Sequence, residues 1–105
     1  MSKKDKYPEF DCSSCFGPYS APGVYGVFTS DPNSGEQDCI YIGSSKNIRE
    51  RVLSPGHPYR LALDKIDDLW VITRSKICDN YREVEKELIG KYSPRLNKQH
   101  RILNV

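Results

Sequence analysis

Apolar positions in the chain fall into short segments separated by turn-forming residues. Gly23 to Thr29 reads GVYGVFT, rich in β-branched and aromatic side chains, and predicts a strand. Alternation places Val24, Gly26 and Phe28 on one face and Tyr25 and Val27 on the other. The loop SDPNSGEQD follows, and then Cys39 to Gly43, CIYIG, predicts a second strand. There, alternation sets Ile40 and Ile42 against Cys39, Tyr41 and Gly43. The connection has no room for a helix, so the two strands form an antiparallel hairpin. Asn47 caps a short helix with Ile48 and Val52 on one side, and Ser54-Pro55-Gly56 ends it. His57-Pro58 opens another helix with Leu61, Leu63 and Ile66 as apolar contacts. Leu69 to Thr73, LWVIT, predicts a third, well-buried strand. Asn80 starts a longer helix in a capping-box arrangement with Glu83. Tyr81, Val84, Leu88, Ile89 and Tyr92 form its apolar stripe, and Ser93-Pro94 ends it.

The predicted order is β-β-α-α-β-α. It gives a small mixed α/β (α+β) domain, a three-stranded antiparallel sheet flanked by about three helices. Residues 1–21 show no period and read as an N-terminal arm, with Tyr7, Phe10, Phe16 and Tyr19 available for packing. Residues 22–97 make the domain, and 98–105 a basic C-terminal tail.

The 105 residues suffice for one domain and one modest core. With 37% hydrophobic and 29% charged residues, full disorder is excluded. No apolar run approaches a membrane span, and the basic N-terminus has no apolar segment behind it. The expected compartment is the cytoplasm, with no membrane partner. Net charge is only +2, so its distribution says more than its sum. Lys91, Arg95, Lys98 and Arg101 follow one another with His100 and no acid, a stretch that can meet phosphates or simply solubilise a tail. Cys12 and Cys15 form a C-x-x-C pair, but Cys39 and Cys78 stand alone, so a structural zinc is not expected.

Glu85 is the most informative residue. Its helical position puts it on the apolar stripe, whereas Glu83 and Glu87 fall on the opposite side. A carboxylate there needs a basic partner or a metal. Arg51 sits beside Ile48 and Val52 at the edge of a core face, where a guanidinium suits a phosphate or carboxylate or simply reaches solvent. Tyr25 and Tyr41 lie on adjacent strands, as packing residues or as phenols that bind water. Asn97 follows the long helix, where local backbone bonding is the plain alternative.

The order of these elements is what carries information. The chain reads PGVY (Pro22 to Tyr25), YIGSS (Tyr41 to Ser45), Arg51, E-x-x-L-I (Glu85 to Ile89) and P-R-L-N (Pro94 to Asn97). Over residues 22–97 this resembles the GIY-YIG nuclease family, in particular the nuclease module of homing endonucleases and of the bacterial excision-repair incision enzyme. The resemblance implies hydrolysis of DNA phosphodiesters with one Mg²⁺ or Mn²⁺ per site. It implies that Glu85 is the metal ligand and that Tyr25 is the general base or orients the attacking water. Tyr41 would support that water or the phosphate, Arg51 would bind the scissile phosphate, and Asn97 would hold the local geometry. The chain departs from the pattern at Val24, where Ile is usual, and in a longer loop between the strands. It also carries Pro55 where many members have His or Tyr; His57, two residues later, either supplies that side chain for proton handling or serves as a helix cap or surface residue.

The resemblance implies DNA as partner, with Lys46, Arg49, Arg74, Lys76, Arg95, Lys98 and Arg101 as candidate contacts. Specificity would come from a protein partner, a second copy, or a DNA structure. A catalytically silent binding module on the same fold is the alternative. The complete set Tyr25, Tyr41, Arg51, Glu85 and Asn97 favours retained chemistry.

Overall fold

β1 (Gly23–Ser30) is buried along all 8 of its residues, because it is the centre strand of the sheet. The structure, a computed structural model, describes residues 6–12, 19–54 and 70–97. β2 (Gln37–Ser45) and β3 (Trp70–Ile77) flank β1, both antiparallel, in the order β2-β1-β3. The expected three-stranded antiparallel sheet is therefore present. The hairpin loop is built by Asp31, whose Oδ1 accepts the N–H groups of Asn33 and Ser34 at 2.8 and 3.3 Å. Gly35 takes φ 75°, and the Asp31 N–H closes the turn on the Glu36 carbonyl at 2.9 Å.

β1 alternates as expected. Val24 and Phe28 enter one core, with Ile42, Cys39 and Leu88; Tyr25 and Val27 enter the other, with Ile40, Tyr41, Ile48 and Val52. β2 does not alternate strictly. The register shifts between Val27 and Phe28, which pair with Tyr41 and Cys39, so Ile40 is the extra residue of a bulge. Ile40 consequently joins Tyr41 instead of Ile42, and Cys39 joins Ile42. The bulge corrects the facing expected from alternation.

β3 is also corrected. It runs to Ile77, and as an edge strand it is half-exposed instead of well buried, with Ser75 its one buried residue and Trp70 63% exposed.

α1 (Ile48–Val52) is capped by Asn47, whose side chain accepts the Glu50 N–H at 3.1 Å. Its first-turn Ile48 and Arg49 N–H groups donate to the carbonyls of Ala21 and Tyr19, which ties the lead-in to the helix. Ile48 and Val52, one turn apart, are fully buried against the Tyr25 face.

α2 (Tyr81–Tyr92) lies mainly against β2, on the Val24 face. Val84, Leu88, Ile89 and Tyr92 pack there; burying Leu88 alone is worth roughly 2 kcal/mol. Asn80 makes no side-chain cap, so the expected capping box is absent: its ψ of 41° lies outside the extended region that a capping residue adopts. The C-terminal end is the organised one. Ser93 turns left-handed at φ 45° and donates its N–H to Ile89 O at 2.8 Å. Residues 95–97 begin a further helical turn. The helix expected after His57 lies outside the described residues.

The arm is not a loose lead-in over residues 6–12. Tyr7 and Phe10 are core residues, each ring edge-on to Phe28 at 4.9 and 5.4 Å. The Cys39 N–H, displaced by the bulge, donates to the Tyr7 hydroxyl at 3.0 Å. Cys12 pairs with Ser75 by backbone bonds of 2.9 and 2.8 Å, covering the outer edge of β3 at that point.

Among the described residues no helix is long and apolar enough to cross a membrane.

Candidate active site

Tyr25, Tyr41, Gly43, Ser44, Arg51, Glu85, Ile89 and Asn97 line one cleft of about 310 Å³. The cleft lies at the outer edge of β2, where α1 closes one side and α2 the other. Tyr25, Tyr41, Arg51, Glu85 and Asn97 come from β1, β2, α1, α2 and the turn after α2, so only the folded chain gathers them.

The sheet register sets the tyrosines. Tyr25 is opposite Gly43, and Tyr41 is opposite Val27, so the phenols are diagonal neighbours on one face. Their rings are 6.2 Å apart, tilted by 40°. Gly43 makes room for them: a Cβ there would stand 2.5 Å from the Tyr25 hydroxyl and 3.0 Å from the Tyr41 ring. This is the physical reason for glycine at the third position of the YIG run.

Burial pushes the Tyr25 phenol well above its ordinary value, and the neighbouring Tyr41 and Glu85 add to the push. The charge of Arg51 and a hydrogen bond from its guanidinium oppose it without cancelling it. Tyr41 is raised for the same first reason, with Arg51 and a hydrogen bond to Tyr25 acting against burial. Both phenols are therefore neutral at pH 7, and both feel Arg51 and Glu85 together.

Arg51 is solvent-exposed on α1 with its head at the cleft. Glu85 is half-buried, whereas Glu83 and Glu87 are exposed, as the helical wheel predicts. Among the described residues no basic side chain forms an ion pair with Glu85. The buried salt bridge that would have explained this carboxylate structurally is thus not seen there.

Asn97 is buried and bonds a distant strand, not its local backbone. Its Oδ1 accepts the Ile42 N–H and its Nδ2 donates to the Ile42 carbonyl, both at 2.8 Å. The amide imitates a neighbouring strand on the open side of β2. It holds the turn after α2 against the strand that carries Tyr41 and Gly43.

The candidate DNA contacts divide. Lys46, Arg49 and Arg95 are exposed and lie in sequence next to cleft residues. Lys76 pairs with Val24 and shares its face, opposite to Tyr25. Arg74 does different work. Its guanidinium donates to the carbonyls of Phe10 (2.8 Å) and Tyr7 (3.0 Å) and to Gln37 Oε1 (3.1 Å), gripping the arm. Arg74 therefore faces carbonyls inside the fold and corrects its expected place among the phosphate contacts. His57, Lys98, Arg101 and Cys15 lie outside the described residues.

Among the described residues no three His, Cys, Asp or Glu side chains gather into a metal cage. One carboxylate with no basic ion-pair partner among the described residues, opening into a polar cleft, fits a magnesium-type ion, which keeps several waters and takes substrate phosphate oxygens as ligands. Sequence reasoning missed the bond between Glu9 and Tyr92, which spans most of the chain and leaves no short-range signal. No protein-family model matches the chain, and no curated protein or solved structure matches it either.

Proposed function

We propose that the chain is a divalent-metal-dependent DNA endonuclease of the GIY-YIG type, hydrolysing phosphodiester bonds. One observation carries this reading: Tyr25, Tyr41, Arg51, Glu85 and Asn97, each expected from the resemblance, converge on a single cleft in which Glu85 has no ion-pair partner among the described residues.

The roles follow from the residue types. Attack of water on phosphorus forms one P–O bond as the ester bond to the leaving sugar oxygen breaks, with the water's proton passing to solvent, and builds negative charge on the non-bridging oxygens. Arg51 donates hydrogen bonds to those oxygens and carries a permanent charge to meet them. Glu85 would hold Mg²⁺ or Mn²⁺, which supplies Lewis-acid charge to the phosphate when bound. The neutral Tyr25 hydroxyl can accept a hydrogen bond from the attacking water and so aim it at phosphorus. Its raised pKa favours this orienting role over that of a resting phenolate base. Tyr41 backs the same water or the phosphate. Asn97 acts through Ile42, holding the strand that carries Tyr41 and Gly43. Lys46, Arg49 and Arg95 supply phosphate contacts around the cleft, so affinity for DNA falls as salt rises.

The test is nicking of supercoiled plasmid with Mg²⁺ or Mn²⁺, against EDTA, Glu85→Ala and Arg51→Ala. The expected result is metal-dependent nicking abolished by the first substitution and strongly reduced by the second, with thermal melts close to wild type. DNA binding without nicking under any metal would favour a catalytically silent binding module. A Glu85→Ala chain that nicks like wild type would remove Glu85 from the site.

A further inference from the structure

Residues 6–12 join elements that are far apart in sequence. Arg74 on β3 grips the Tyr7 and Phe10 carbonyls, Cys39 on β2 donates to the Tyr7 hydroxyl, and the Tyr7 ring lies 4.9 Å from that of Tyr92 on α2. Glu9 completes the set. Its carboxylate accepts the Tyr92 hydroxyl at 2.6 Å and the Lys91 ammonium at 2.7 Å. The contact with Tyr92 is part-buried, whereas Lys91 is exposed, so Tyr92 is the partner that constrains geometry.

Tyr92 lies on the same stripe of α2 as Glu85. Two turns separate them, about 10 Å along the axis, and after two turns a helix returns to nearly the same azimuth. A helix of this length behaves as a rigid rod, so a rotation at Tyr92 becomes a rotation at Glu85. The N-terminal end of α2 lacks a side-chain cap, whereas the C-terminal end is held by Ser93, by Asn97 through Ile42, and by Glu9. The placement of Glu85 in the cleft therefore has an anchor at the far end of its helix, besides the packing of Val84, Leu88 and Ile89.

We propose that residues 6–12 are a positioning strap for the cleft, in which Glu9, through the Tyr92 hydroxyl, fixes the rotation of α2 and so the place of Glu85 relative to Tyr25 and Arg51. Glu9 touches no substrate; it is a positioning residue. The inference rests on Glu85 being a working residue, but its structural half can be read without any activity.

The experiment uses the full chain with Glu9→Ala, Glu9→Gln and Tyr92→Phe. Glu9→Gln keeps an oxygen for the Tyr92 hydroxyl and loses only the charge facing Lys91. Native-state hydrogen exchange and amide chemical shifts report on α2 directly. The expected result is faster exchange over Val84–Ile89 and shifted Glu85 and Gly43 amides in Glu9→Ala and in Tyr92→Phe, with β1 unchanged. Glu9→Gln should return both readouts to wild type. Plasmid nicking by the Ala and Phe variants should fall about ten-fold at unchanged KM for DNA, since misplacement by about 1 Å can cost this or more. Wild-type exchange and shifts in both variants would overturn the strap, as would a Glu9→Gln chain no better than Glu9→Ala. If wild type shows no nicking at all, the nuclease reading fails, while exchange and shifts still decide whether the arm places α2.

Discussion

The hydroxyl of Tyr25 occupies the space over Gly43, its cross-strand partner, that any side chain at that position would need. Gly43→Ala would bring a Cβ to 2.5 Å of that hydroxyl. Tyr25 is 1% exposed and has nowhere to retreat without disturbing Arg51 or Tyr41. The substitution should cost about 1–3 kcal/mol, as overpacking does, and should abolish nicking. Gly90→Ala is the matched control, because nothing lies within 4 Å of a Cβ on that exposed helical residue. It should gain up to about 1 kcal/mol and leave the rate alone. Thermal melts and plasmid assays on the two variants check both halves. Equal behaviour would mean that the Tyr25–Gly43 packing is not a constraint.

Asn97→Ala removes both partners of Ile42 at the open side of β2. Buried backbone groups left unpaired make this expensive, so a loss of about 2–4 kcal/mol is expected in denaturant unfolding. Asn97→Asp keeps the acceptor and loses the donor to the Ile42 carbonyl, and it should be destabilising too. A loss below about 0.5 kcal/mol in Asn97→Ala would show that water replaces the amide freely.

Alkaline pH should unfold the protein in a way traceable to Tyr25 and Tyr41. Both phenols hold their protons above the ordinary value of 10.0 in the folded state, whereas an unfolded tyrosine releases its proton near that value. The unfolded chain binds fewer protons there, so stability is intact below about pH 10 and falls as pH rises beyond it. Tyr25→Phe should flatten this dependence. The comparison of unfolding curves between pH 8 and pH 11 reads it directly.

Acid should weaken the Glu9–Lys91 pair while leaving an oxygen of Glu9 for the Tyr92 hydroxyl. Burial pushes the Glu9 carboxyl up, but hydrogen bonds from Lys91 and Tyr92 outweigh burial and leave it below its ordinary value. A lowered carboxyl contributes stability that is present above its unfolded value, near 4.3, and is lost as pH falls through the folded one. The melting-temperature gap between wild type and Glu9→Ala should therefore be widest near neutrality and narrow below pH 4, where the bond to Tyr92 remains. A gap constant from pH 7 to pH 3 would mean that the Glu9 charge does not matter to the fold.

Cys39 should be inert. Burial pushes its thiol up to about 12, and its Sγ–H points to the Tyr41 carbonyl at 3.6 Å. A thiol reagent at pH 8 should spare Cys39 in the native chain and modify it in urea. Mass mapping of the labelled peptides decides this, and native labelling of Cys39 would show that the bulge opens readily.

What could be read from the sequence was what recurs at short range. The alternation in β1 and the 3.6-residue stripe of α2 placed Tyr25 and Glu85 on the correct faces. Asn47 announced its cap. Residues 39–42 are Cys, Ile, Tyr and Ile, all suited to burial, so alternation carried no information and the bulge at Ile40 was hidden. The run LWVIT looked like a central strand because composition does not distinguish an edge from a centre. Arg74 looked like a phosphate contact because a guanidinium that meets main-chain carbonyls and one that meets DNA are the same residue in a sequence. The candidate site residues were legible as an ordered set, each being unremarkable alone. Their convergence on one cleft depends on register and helix placement, which arise only in the folded chain.

The sheet has two outer strands, and each is blocked by a residue from elsewhere in the chain. The Asn97 amide occupies the hydrogen-bonding groups of Ile42 on β2, and Cys12 occupies those of Ser75 on β3. An unblocked outer strand is a template onto which another molecule can zip, and short interruptions of this kind prevent such growth. The same contacts that shape the cleft and seat the arm thus also interrupt each outer strand at one point where another strand would pair.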